Sequence, residues 1–160
     1  MKENIFRGKR KSDGEWAYGS LILVLEGAFI LDQQINHILE KNLTFTDLDE
    51  MFQAVIPETV GQFIGRSTEK GNMLFEGDIV KRTCTEKIVA VRGTRVPCDA
   101  WEIGVIEFNN VSTKFEVIVI KQQDLWYGSL PHTTDFEYYN WKIIGNVTDN
   151  PGILKNSAYE

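Results

Sequence analysis

The sequence predicts an α+β protein that is mainly β. Three observations carry this. From Pro57 onward, short runs rich in β-branched and aromatic residues alternate with Gly, Asn and Asp turn signals. Between residues 31 and 55 the apolar period changes to a helical one. The chain of 160 residues is long enough for one domain, or a compact domain with a small companion, with a core that needs no staples.

Taken in order, Asp13-Gly14 marks a turn. Trp16, Tyr18, Leu21 and the run to Leu25 read as a strand, and Glu26-Gly27 turns the chain into a second strand at residues 28–31. Leu31, Ile35, Ile38 and Leu39 then fall on one helical stripe that Asn42 can close. Leu48, Met51, Phe52 and Val55 predict a second short helix, which Pro57 ends. Residues 1–56 are therefore expected to form an α+β N-terminal subdomain and residues 57–160 a β domain, a small barrel or a strongly bent sheet, within one compact unit. In the second part "GQFIG", "DIVKRTCTEKIVAVRG", "WEIGVIEF", "KFEVIVI" and "YNWKIIGNV" are strand candidates. "EKGN" and "NNVST" are turns, the latter closing a hairpin, and "DNPGILK" is a turn with a short apolar anchor.

Composition excludes several classes. Apolar residues make up 42% and charged residues 25%, as in ordinary soluble domains. The densest apolar runs, "LILVL" and "AFIL", are too short to cross a bilayer, and no apolar signal core follows the N-terminus. A cytoplasmic protein with no membrane contact is expected, so the sequons at Asn42, Asn110 and Asn146 carry no meaning. Cys84 and Cys98, without histidines at short spacing, build no four-ligand zinc site and are expected to pack as reduced thiols.

Residues 58–81, "ETVGQFIGRSTEKGNMLFEGDIVK", hold four of the chain's glycines. A phosphate-cradling loop needs Gly, four residues, then Gly-Lys-Ser/Thr at a helix start. Here three residues separate Gly61 from Gly65, Arg66 replaces the lysine, and Gly71-Asn72 break any helix. These are turn glycines. Asp47, Asp49 and Glu50 read as a solvated helix face, and His37 and His132 stand apart from any nucleophile motif. No catalytic residues, no cofactor and no metal are assigned, and a non-enzymatic protein is expected.

The net charge is −6, unevenly spread. The N-terminal segment and residues 81–95 are basic, and their Arg7, Lys9, Arg10, Lys81, Arg82, Lys87, Arg92 and Arg95 are the candidates for nucleic-acid contact. The second basic stretch contains no aromatic residue, whereas single-strand binders interleave cations with stacking rings. One internal echo exists: "EWAYGSL" at residues 15–21 and "DLWYGSL" at residues 124–130. Its aromatics, Trp16, Tyr18, Trp126 and Tyr127, are the candidate groove for a protein partner.

Five blocks resemble the YopX family: "FRGKRKSDGEWAYGSL" from Phe6, "PETVGQFIG" from Pro57, "KGNMLFEGDIV" from Lys70, "GVIEF" from Gly104 and "IGNVTDNP" from Ile144. They come in family order and span almost the whole chain. Ile64-Gly65-Arg66 departs from the usual Thr-Gly-Leu, and the helical stretch 32–53 is longer than the usual connection. The resemblance implies an origin in phages or prophages and a partly open, SH3-like barrel in the C-terminal portion. It also makes Glu76-Gly77-Asp78 the turn that enters a barrel strand, with Asp78 accepting a backbone amide. It supplies no activity. The expected role is a binding module for a protein partner in the host cytoplasm. A nucleic-acid-binding accessory protein and a structural homo-oligomer are the alternatives.

Overall fold

The computed structural model describes residues 4–32, 51–83, 88–91, 94–97, 101–123 and 141–155. The chain divides into two compact units, residues 1–63 and 64–160.

In the first unit, β1 (Phe6–Lys9), β2 (Trp16–Val24), β3 (Gly27–Asp32) and β4 (Phe52–Val55) form an antiparallel meander. The first residues of β5 (Gly61–Ser67) pair on the other side of β1. Asp13 shapes the β1–β2 turn by accepting Glu15 N (3.0 Å) and Arg10 Nε (2.9 Å), and Gly14 takes the left-handed φ of 75° that the turn requires. The meander curls back on itself. Lys11 N donates to Ala54 O (2.8 Å), Ile56 N donates to Lys9 O (2.8 Å), and Arg10 bridges Val55. Gly8 permits this approach, because a Cβ there would lie 3.0 Å from that of Val55. Ala17, Ala28, Ile30 and Val55 form the core, with Phe6, Leu21 and Val60 against it.

The strand β4 corrects the sequence reading. Phe52 and Val55 are not helical but pair with Leu31 and Ala28 of β3, and Leu31 itself belongs to β3. Short apolar runs fit either period, and burying Val55 completely beside Ala28 decides for the strand. Pro57 opens a 3₁₀ turn (Pro57–Thr59) instead of ending a helix. In that turn the Thr59 hydroxyl donates to Ile56 O (2.7 Å) and accepts Lys9 N (2.8 Å), which ties the turn to the end of β1. Met51 of the second expected helix is helical and buried, and residues 33–50 lie outside the described residues.

In the second unit β5 ends and β6 (Met73–Phe75) follows a turn closed by Thr68 N donating to Asn72 O (2.8 Å), with Gly71 at φ 83°. The four-stranded antiparallel sheet runs β11 (Lys114–Gln123), β10 (Trp101–Asn109), β7 (Asp78–Thr83), β12 (Lys142–Asn146). It ends at β11 and β12 and is not closed among the described residues. The strands β8 (Ile88–Val91) and β9 (Thr94–Pro97) form a separate hairpin, and α1 (Gly152–Lys155) is a single turn. The fold is thus mainly β and antiparallel.

The Glu76-Gly77 turn behaves as expected: Gly77 has φ 81°, and buried Asp78 accepts Phe75 N at 2.8 Å. A bulge in the β10–β11 ladder falls at Ile103/Gly104. Gly104 cannot carry a side chain, because a Cβ would sit 2.7 Å from Ile118 O. Leu74, Val80, Ile106, Val117 and Trp141 form this unit's core.

Candidate binding face

Strand parity sorts the first unit's chemistry. Gly8 on β1 and Ala17 on β2 point inward, so Arg7 and Lys9, with Trp16 and Tyr18, share the opposite face. The register pairs Arg7 with Tyr18 and Lys9 with Trp16. The Arg7 guanidinium lies 4.8 Å from the Trp16 ring centroid and the Lys9 ammonium 5.0 Å. Such contacts are worth about 0.5–1 kcal/mol each at exposed sites and more when desolvated. Arg7 is only 8% exposed, while Tyr18 is 44% exposed. The face is therefore a fixed cation–indole base with a phenol ring open beside it. The aromatic and basic candidates that the sequence keeps in separate groups meet here.

The other candidates disperse. Arg10 is engaged by Asp13 in the β1–β2 turn, at 2.7 Å, and the Asp13 carboxyl is held below its ordinary range, chiefly by the Glu15 amide. Lys81 and Arg82 are neighbours on β7 and face opposite ways. The Lys81 ammonium lies 5.1 Å from the Trp101 centroid. Arg82 turns into the core, 2% exposed by its side chain, where Nε donates to Glu102 Oε2 at 2.5 Å and the guanidinium covers the Trp141 ring at 5.0 Å. Its register partner on β10 is Glu102 itself. This removes Arg82 from any outward basic surface. Arg95 belongs to β9 and is paired through the backbone with Ala90. Lys87, Arg92, Trp126, Tyr127, both cysteines and both histidines lie outside the described residues.

Two lysines escape sequence reasoning. The register sets Lys121, Ile103, Lys81 and Lys142 in one row across β11, β10, β7 and β12. The sequence positions carry no sign of this, since it needs three cross-strand alignments and a bulge. Lys121 spends its ammonium on Ile153 O at 2.5 Å, which docks α1 on that face.

Among the described residues no group of three or more His, Cys, Asp or Glu side chains could hold a metal ion. No helix among them is long and apolar enough to cross a membrane. A comparison with curated proteins finds no match. A family model described as "YopX protein" matches residues 5–155, spanning both units and every block named above. The chain belongs to the YopX family.

Proposed function

We propose that this chain is a non-enzymatic binding module of phage or prophage origin, active in the host cytoplasm, that takes a protein partner through the outer face of β1 and β2. The observation that supports this reading is the joint placement of Arg7, Lys9, Trp16 and Tyr18 on one sheet face. Rigid aromatic area beside fixed cations suits a protein segment that brings a carboxylate to Lys9 and an apolar body to Tyr18. The second unit's open, bulged sheet is read as part of the SH3-like arrangement implied by the family resemblance.

Charge favours a protein over a nucleic acid as the partner of this face. Each phosphate contact to a single strand adds about 0.7 to the salt slope of log affinity, and tight binding needs several. On this face Arg7 is buried and Arg10 is engaged by Asp13, and the whole chain carries −6. A nucleic-acid reading retains one specific support: Lys81 over Trp101 repeats the cation-on-indole pairing.

The test is a pull-down of tagged protein from phage-infected host cells, with and without nuclease, using wild type and Tyr18→Ala. The expected result is a protein retained after nuclease treatment and lost with Tyr18→Ala. Loss on nuclease treatment transfers the ligand class to nucleic acid. Recovery indifferent to Tyr18→Ala removes this face, and recovery of the bait alone points to self-assembly.

A further inference from the structure

The outer face of the second sheet carries an arrangement that folding alone does not favour. Lys142 on β12 is the direct register partner of Lys81 on β7. Like charges directly opposite one another across an antiparallel pair cost stability. The same row continues through Ile103 to Lys121. The next row sets half-buried Trp101 beside exposed Thr83. Neither row contains a carboxylate among the described residues. Along β10 and β11 the first acids on this face are Glu107 and its register partner Glu116, beyond Val105. At the β12 edge, Glu69 and Lys70 of the β5–β6 turn share a pocket with Lys142 and balance one another. A chain of net charge −6 therefore concentrates positive charge here.

The three lysines are held differently. Lys121 donates to Ile153 O and is fixed by docking α1. Lys142 is exposed. The Lys81 ammonium lies 5.1 Å from the Trp101 ring centroid, and that contact is exchangeable. An exposed cation–indole pair is worth about two- to five-fold in an equilibrium constant, whereas a base stacked on an aromatic ring is worth about 5- to 150-fold. A base can thus replace the ammonium over the indole, and the released ammonium gains a phosphate beside Lys142. Stacking on a side chain needs an unpaired base, which selects a single strand over a duplex. An acidic peptide would satisfy the lysines and leave Trp101 unused.

We propose that this face of the second sheet binds single-stranded nucleic acid, with one base stacked on Trp101 and the adjoining phosphates held by Lys81 and Lys142. It is a second surface, independent of the β1–β2 face.

The test titrates the full chain into a fluorescently labelled oligothymidylate of about twelve nucleotides and reads anisotropy at several salt concentrations. Saturable binding is expected at low salt. Log affinity should fall by about 1.4 per tenfold rise in salt, about 0.7 for each lysine–phosphate contact. Trp101→Ala should weaken binding about 5- to 150-fold. Lys142→Gln, at an exposed position, should weaken it and reduce the salt slope to about 0.7, which keeps the test decisive if Trp101→Ala does not fold. Lys114→Gln removes the same charge at the far end of β11 and should change neither affinity nor slope. Three results overturn the proposal. One is no saturable binding. Another is an abasic strand or an oligoglutamate of the same length bound as tightly as oligothymidylate. The third is an equal loss from Lys142→Gln and Lys114→Gln.

Discussion

Arg7 of the first unit and Arg82 of the second both cover a tryptophan at nearly the same distance, 4.8 and 5.0 Å. Their surroundings differ. Arg7 shares its face with Lys9 and exposed Tyr18, where a partner can reach the aromatic rim. Arg82 is closed in with Glu102 beneath the second sheet, where it orders a core. Both guanidinium groups are buried, but one borders an exposed ring and the other lies wholly inside a core. What separates them is the inward or outward turn of one strand residue.

The sharpest way to break this comparison is to remove the buried carboxylate. Glu102→Ala should destabilise the protein by about 3–5 kcal/mol, because it leaves Arg82 charged and buried without its ion-pair partner. Urea unfolding measures this, and the double replacement Arg82→Met with Glu102→Leu should restore most of the loss. The matching change in the first unit, Lys9→Ala, should cost no more than about 1 kcal/mol. Equal costs would show that the two environments do not differ as described.

Smaller effects sharpen the contrast between the two glycine uses. Gly104→Ala should cost about 1–3 kcal/mol, since its Cβ meets the Ile118 carbonyl oxygen, which cannot move without disturbing β11. Thr113, at φ 54° in the β10–β11 turn, is the reverse case: Thr113→Gly should stabilise by up to about 1 kcal/mol. Smallest is a pH effect in the same turn. Glu116 is held below its ordinary value, first by Asn109 and then by Ser112, which donate at 2.9 and 2.8 Å. A lowered folded pKa contributes stability that is fully present above the ordinary value of 4.5 and lost as pH falls through the folded pKa. Glu116→Gln should flatten the fall of the urea midpoint over that acid range.

Most of the strands and turns were legible from alternation and from Gly, Asn and Asp. The Asp78 bond to Phe75 N shows how far local chemistry reaches: a turn residue three positions away finds its own amide. β1 was not legible. "FRGK" lacks an apolar run because Gly8 is there to make room for Val55, a contact set by a residue 47 positions further along. β4 was misread for a related reason, since its pairing with β3 lies beyond any local window. Trp16 and Tyr18 could be found as aromatics, and Arg7 and Lys9 as cations. Their meeting depended on the Arg7–Tyr18 and Lys9–Trp16 register, which a sequence does not print.

The most direct test of the central claim compares partner recovery by Tyr18→Ala with that by Glu107→Ala, both exposed and on separate sheets, from nuclease-treated lysates of phage-infected cells. Both variants should unfold at the wild-type urea midpoint to within about 0.5 kcal/mol. Tyr18→Ala is expected to lose the partner and Glu107→Ala to keep it. Loss with Glu107→Ala and retention with Tyr18→Ala would contradict it and move the binding surface to the second unit.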